Sequence, residues 1–323
     1  MPHPLGEFEL IARYFSRPAP HADLGVGDDC ALLPAPSATE QLAISTDMLI
    51  EGRHFLAGTD AEALGHKALA VNLSDLAAMG ATPLAFTLAL ALPDADPRWL
   101  DPFSRGLYAL ADRHGIELVG GDTTRGPRTI CITVLGTVPR GQALLRSGAR
   151  EGDDIWISGT VGDARLALGD RLGEWSIDAA ARAAAYARMD RPEPRVGLAQ
   201  ALRGIAHAAI DVSDGLLADL GHVLERSRVG ATVEVDRCPA SPALATQPLD
   251  RRRRCQLAGG DDYELLFTAS PQQRDAVDAA GERSLLRVTR IGRIEADPGL
   301  RLVDANGRGI DDRYAGFDHF RSN

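Results

Sequence analysis

Aspartates recur in this chain where ligands are held rather than where charge is simply solvated. Asp28, Asp29, Asp47, Asp122, Asp211, Asp214, Asp261 and Asp262 stand beside glycines or at expected strand ends, and Asp75 lies inside an expected helix. One such residue is ordinarily a turn former or a helix N-cap. So many at strand-to-loop junctions point to a ligand, because α/β folds bind ligands at strand ends. Hard cations take oxygen ligands, and Mg²⁺ is held by a few carboxylates plus substrate phosphates. Aspartates without His or Cys among them therefore suggest Mg²⁺ and a phosphorylated substrate. Ser45 and Thr46 precede Asp47 and can add hydroxyl or carbonyl oxygens.

The stretch NLSDLAAMGA, from Asn72 to Ala81, places polar groups in an apolar run. Asn72 and Asp75 are three apart and share a helical face. The small residues around them admit a second backbone. A carboxylate there must meet a cation or donors, because burying it alone is costly. Gly120-Gly121 allows a close backbone approach to a phosphate, although such a pair also makes turns. Lys67 is the only lysine and no P-loop is present, so phosphate falls to arginine, backbone N–H groups or metal. Arg146 in LLRSG is a candidate for that role, its alternative being a surface arginine at a domain junction. Read on its residues alone, His54 is a structural histidine. The Arg251 to Arg254 run reads as a solvated face.

These groups need elements to position them. Periodicity predicts a short helix over Glu7 to Phe15, a Gly/Asp-rich loop, and strands at Cys30 to Leu33 and Leu42 to Thr46, the latter ending at Asp47. A long helix begins near Ala61. Leu84 to Leu92 has strand length, Pro97 to His114 is helical, and Glu117 to Val119 is a strand stopping at Gly120. Thr129 to Val138 alternates as a strand. The polar connector SGAREGDD marks a boundary, giving domains 1–148 and 149–323. Strands and helices then alternate, with GDDYELL near Gly260 echoing GDDCALL at Gly27. The class is α/β or α+β.

Composition sets the bounds. A chain of 323 residues with 45% hydrophobic and 25% charged residues forms a globular protein of two domains. A net charge of -10 argues against nucleic acid as a partner. The absence of a membrane-length apolar run or a signal segment gives a cytoplasmic expectation. Cys30, Cys131, Cys238 and Cys255 lack the spacing of a zinc site or disulfide scaffold.

The motifs GEFELIARYF, GVGDDCALL, ISTD, GRHF, KALAVNLSDLAAMGATP, GGDTTRG, RSGA, DVSDGLLADLGH, GGDDYELLF and GFDHF run in order from Gly6 to Phe320 and resemble the thiamine-monophosphate kinases. GGDTT alone is shared with the wider superfamily of aminoimidazole ribonucleotide synthetase, selenophosphate synthetase and a hydrogenase maturation protein. The resemblance implies a two-domain fold: an N-terminal domain pairing strands across a homodimer, and a C-terminal α/β domain. It implies ATP-dependent conversion of thiamine monophosphate to thiamine diphosphate, the last step of thiamine diphosphate biosynthesis. By resemblance, Asp29, Ser45, Thr46, Asp47, Asp75, Asp122, Asp211 and Asp214 are ligands of several Mg²⁺ ions. Gly121, Asp122, Arg146 and Ser213 are ATP contacts. His54, Asp261 and a terminal aromatic, Tyr314 or Phe317, are substrate contacts. The family has Gly-Gly-Glu-Asp where this chain has Gly259-Gly260-Asp261-Asp262, a shorter acid. No general base is expected, because a phosphate monoester with a second pKa of about 6 is already largely a dianion at neutral pH. The alternatives are another ATP-using enzyme of the superfamily and a non-catalytic nucleotide-binding protein. The intact acidic set argues against the second. Selenophosphate synthetase is disfavoured by the lack of a cysteine before Cys30, and the hydrogenase protein by a chain ending in Arg321-Ser322-Asn323.

Overall fold

The structure, a computed structural model, describes residues 6–27 and 30–310. In chain order it contains α1 (Glu7–Tyr14), β1 (Glu40–Ile50), α2 (Ala61–Ala78), β2 (Thr82–Leu92), α3 (Pro97–His114), β3 (Glu117–Arg125) and β4 (Thr129–Pro139). There follow β5 (Asp154–Ser158), α4 (Asp163–Arg171), α5 (Ala179–Asp190), α6 (Val196–Ala201), β6 (Ala208–Asp211), α7 (Leu216–Ser227), β7 (Gly230–Glu234), α8 (Pro242–Ala245) and α9 (Leu249–Ala258). The last elements are β8 (Leu265–Ala269), α10 (Arg274–Arg283), β9 (Val288–Glu295) and β10 (Gly299–Val303). Two compact units result. One runs through Leu76 and resumes at Ala81–Gly141; the other takes Ala77–Gly80 and continues from Gln142.

In the first unit the sheet order is β1-β4-β2-β3, antiparallel except for the β2–β3 pair. Helix α2 is buried nearly all round: Leu64, Ala68, Leu69, Val71, Leu73 and Leu76 are at most 1% exposed, and so are the polar Asn72 and Ser74. A helix apolar on every side belongs inside a core. Two glycines let it in. A Cβ on Gly65 would lie 2.0 Å from the Phe103 carbonyl oxygen, and one on Gly106 would lie 1.8 Å from that of Glu62, so α2 and α3 cross backbone to backbone.

Three strand expectations change. Cys30 to Leu33 forms only an isolated bridge, Leu24 to Leu32. β1 does not end at Asp47 but continues to Ile50, pairing Asp47 with Ile132 on β4. β3 does not stop at Gly120 either. Gly120 to Arg125 stays paired with β2, and Gly121, at φ 151°, lies so close to it that a Cβ would sit 1.9 Å from the Leu88 carbonyl oxygen. Gly121 thus serves strand packing.

The second unit is built on a six-stranded sheet, β10-β7-β9-β5-β8-β6, antiparallel except for β10–β7. Strand alternation splits its core. Ile155, Ile157, Ile210 and Leu266 pack with Leu216, Leu220 and Val223 of α7. Trp156, Ala209, Leu265 and Phe267 pack with Val196 and Leu198 of α6 and Val277 and Ala280 of α10. The arginine run lies in α9 and is not simply a solvated face: Arg253 pairs with Asp236 at 2.8 Å, and Arg251 lies over the Trp175 ring. The strand that the sequence predicts over Tyr263 to Thr268 begins only at Leu265 and runs to Ala269, because Asp261 and Tyr263 before it take positive φ values of 66° and 51°.

Asp170 ties α4 to α5. It accepts from Arg182 Nε at 2.6 Å, the Tyr186 hydroxyl at 3.0 Å and the Ile177 N–H at 3.1 Å. The Arg182 guanidinium is foremost in holding its carboxyl down at about 2. A carboxyl lowered in the folded state stabilises above its unfolded value of about 3.9, and this contribution is lost as pH falls toward the folded value. Asp170→Asn is therefore expected to weaken the protein at pH 7 in urea titrations, and the difference from wild type should shrink between pH 4 and 2. A constant difference across that window would contradict this assignment.

Candidate functional site

In the first unit, β1 and α2 bring four sequence-selected groups together. Ser45 Oγ donates to Asp75 Oδ2 at 2.5 Å. The Asp47 main-chain N–H donates to Asn72 Oδ1 at 3.0 Å, and Asn72 Nδ2 donates to the Ala68 carbonyl one turn back, at 2.9 Å. Buried Asn72 is thus a bracket that fixes the height of Asp47 on α2, and Asp75 remains half-buried beside Ser45. Thr46 sits between them in sequence, but its hydroxyl pairs with Thr133 of β4 at 2.8 Å. Strand alternation turns it to the other face, which removes that hydroxyl from the group with Asp75.

Asp122 is on β3 at the far edge of the sheet. The register runs from Asp47 through Ile132 and Leu88 to Gly121, so Asp122 is one residue past the row of Asp47. Three strand spacings separate them, on the order of 14 Å. One step past that row, Asp122 is turned by strand alternation to the face opposite Asp47, where it is exposed beside Ala89, so the two do not share one ion's coordination shell. Among the described residues, no three His, Cys, Asp or Glu side chains are gathered tightly enough to hold a metal ion. His54 accepts the Ile50 N–H at Nδ1, 3.0 Å away, which leaves the ring proton on Nε2. Asp28, Asp29, Tyr314 and Phe317 lie outside the described residues.

In the second unit the loop from Asp211 to Gly215 joins β6 to α7. Asp219, in the first turn of α7 and 3% exposed, accepts the N–H groups of Ser213, Asp214 and Gly215 on one oxygen, each at 3.1 Å. Burial, then the charges of Asp211 and Asp214, push its carboxyl up to about 7. These acids feel one another's charge, a repulsion a hard cation would relieve, and their all-oxygen chemistry fits Mg²⁺. The Ser213 carbonyl accepts the Asp261 N–H at 2.9 Å, so both main-chain groups of Ser213 are engaged.

The Gly259 to Glu264 segment locks against that loop. The Tyr263 N–H donates to the Val212 carbonyl and the Val212 N–H to that of Glu264. The Tyr263 hydroxyl reaches Asp261 Oδ1 at 3.1 Å. A Cβ on Gly260 would fall 2.2 Å from the Ser213 oxygen. Asp262, fully buried with its carboxyl raised well above the usual range chiefly by burial, accepts the Gly162 N–H at 2.6 Å. It therefore serves α4, and Asp261 is the member of the acidic pair that remains half-buried.

Arg146 is exposed and makes no ion pair among the described residues. Its backbone is fixed. The Ser227 hydroxyl donates to the Arg146 carbonyl at 2.9 Å and accepts the N–H groups of Gly148 and Ala149 at 3.1 Å. Sequence reasoning passed over Ser227, Tyr263 and Asp219 as functional supports. Only Asp219 had a signal, an acid placed to meet the N–H groups of the SDG turn before it.

The fold and these oxygen-rich loops define a two-domain class. Residues 27–138 match the AIR synthase related protein N-terminal domain and residues 150–305 its C-terminal domain. Within that class the chain belongs to the thiamine-monophosphate kinase family. It is 46% identical over 321 residues to the enzyme of Salmonella typhimurium, covering 98% of both chains, and 46% identical to that of Escherichia coli K12, again over 98% of each. Among solved structures it resembles thiamine-monophosphate kinase from Stenotrophomonas maltophilia K279a, with a TM-score of 0.84, 49% identity, and 94% and 96% of the two chains covered. It also resembles AaThiL complexed with AMPPCP and TMP, with a TM-score of 0.76, 30% identity and 98% and 97% coverage.

Because Gly260 packs on the Ser213 carbonyl, Gly260→Ala should force the two loops apart and lower stability by about 1–3 kcal/mol, as overpacking does. Urea denaturation checks this. An unchanged midpoint would show that the loops do not depend on their contact.

Proposed function

We propose that this protein transfers the γ-phosphoryl group of ATP to the phosphate of thiamine monophosphate, giving thiamine diphosphate and ADP. The observation that carries this reading is family membership over nearly the whole chain, together with the capture of an ATP analogue and TMP by AaThiL. In the reaction a phosphate oxygen of thiamine monophosphate forms a bond to the γ-phosphorus as the bond to the β-phosphate oxygen breaks. The attacking phosphate is largely a dianion at neutral pH, so no side chain has to remove a proton. The difficulty is repulsion between two polyanions, and catalysis is positioning plus charge neutralisation.

The residues divide that work. Asp29, Ser45, Thr46, Asp47, Asp75, Asp122, Asp211 and Asp214 are proposed to hold Mg²⁺, Thr46 through its carbonyl. Bound Mg²⁺ neutralises phosphate charge and aligns the transferring group. Arg146, without an ion pair among the described residues, offers its guanidinium from a backbone fixed by Ser227, suited to bidentate phosphate contact. The Ser213 hydroxyl, Gly121 and Asp122 complete the nucleotide side. Asp261, held by the Tyr263 hydroxyl, and His54, with Nε2–H as donor, take the thiamine side with Tyr314 or Phe317.

A homodimer fits the sheet. On β1 the face turned from α2 carries Leu42, Ile44, Met48 and Ile50, with Ile44 60% exposed. Such an apolar row calls for a cover, and a second copy of the same sheet supplies one.

The test combines the protein with ATP, Mg²⁺ and thiamine monophosphate and follows thiamine diphosphate. Asp47→Asn and Asp122→Asn should each abolish turnover with the fold intact by circular dichroism. Full turnover in either at saturating Mg²⁺ would remove that residue from the metal set. Ile44→Asp should convert the dimer to monomer in light scattering, and an unchanged mass would displace the interface from this face.

A further inference from the structure

We propose that Asp219 is a positioning residue that holds the Asp211 to Gly215 loop in its ligand-binding shape, an inference that rests on the kinase reading above. Three consecutive N–H groups converging on one point form a ready anion site, and at the start of a helix that site is favoured further by the dipole. Here the chain fills it with its own carboxylate: Oδ2 of Asp219 takes the N–H groups of Ser213, Asp214 and Gly215 at equal distances. The phosphates of a nucleotide cannot use those donors. They must be met by the Ser213 hydroxyl and by the Mg²⁺ that the Asp211 and Asp214 carboxylates would hold, since a carboxylate alone repels a phosphate.

The same anchor reaches the thiamine side. With the N–H of Ser213 fixed by Asp219, its carbonyl receives the Asp261 N–H, and Val212 exchanges main-chain hydrogen bonds with Tyr263 and Glu264. Gly260 is the residue that permits this contact, because any side chain there would strike the Ser213 oxygen. Asp219 itself, 3% exposed, acts through its neighbours rather than on a reactant. One internal carboxylate thereby sets both the metal-bearing turn and the turn bearing Asp261.

Full-length wild type, Asp219→Asn and Asp219→Ala are compared in three measurements: Mn²⁺ and non-hydrolysable ATP analogue affinity by electron paramagnetic resonance, steady-state kinetics, and thermal unfolding. Asn keeps an acceptor oxygen and the volume, so its affinity and KM for ATP should stay close to wild type. Ala removes the acceptor, so Mn²⁺–nucleotide affinity and kcat/KM should fall about 10- to 100-fold, the loss typical of an outer partner of metal ligands, with cooperative unfolding retained. If Ala prevents folding, Asp219→Ser, with a shorter acceptor, replaces it under the same readout. The proposal is overturned if Asn is as impaired as Ala, which would make Asp219 itself a ligand. It is also overturned if Ala lowers only stability and leaves Mn²⁺–nucleotide affinity and KM unchanged. A wild type that binds Mn²⁺–nucleotide but makes no thiamine diphosphate would overturn the kinase reading alone, since the affinity comparison needs no turnover.

Discussion

Like charges must be held close together, and that constraint organises both units. The chain uses two solutions. Where a carboxylate is structural, it is given donors until nothing is left over: Asp262 takes the Gly162 N–H, and Glu264 is enclosed by Arg188, Arg195 and the Ser158 hydroxyl. Where a carboxylate is proposed to meet a ligand, the backbone that carries it is what is fixed. Among the described residues neither Asp122 nor Asp214 forms an ion pair, and the main chain of Asp47 is what Asn72 holds. Acids in that condition repel one another; the carboxyl of Asp219, raised first by burial, is raised further by the charges of Asp211 and Asp214. On the kinase reading, divalent ions arriving with ATP relieve the repulsion.

Backbone proximity is the second theme, and glycine makes it possible. Gly65 and Gly106 bring α2 against α3, Gly121 brings β3 against β2, and Gly260 brings one acidic loop against another. Each contact is main chain against main chain, with little slack, so the functional side chains are carried on supports that resist displacement. Asp261 and Tyr263 show the strain involved, since non-glycine residues at positive φ cost about 1–3 kcal/mol each. Their main-chain bonds to Val212 and Ser213 hold them there.

Much of this was legible in the sequence. Apolar periodicity placed α2 and α3, alternation placed β4, and the ordered acidic motifs identified the family. What was not legible has physical reasons. Glycine reads as a stop signal, so the sequence points to an end of β3 at Gly120, although Gly121 is what allows the strand to continue beside Leu88. An aspartate after Ser-Thr reads as a strand end, although pairing of Asp47 with Ile132 carries β1 through it. The side to which Thr46 turns depends on its opposition to Thr133 across the sheet, a long-range register that local spacing does not contain. Ser227 works on Arg146 from 81 positions away, and no window of sequence connects them.

On the proposed function, aspartates in each unit hold divalent ions against phosphate. Crystals grown with Mn²⁺, a non-hydrolysable ATP analogue and thiamine monophosphate test it most directly through anomalous scattering. The expected result is manganese peaks about 2 Å from carboxylate oxygens of Asp47, Asp75, Asp122, Asp211 and Asp214, lying between the two ligands. Peaks seated on the nucleotide alone, with those carboxylates turned to arginines or solvent, would contradict it.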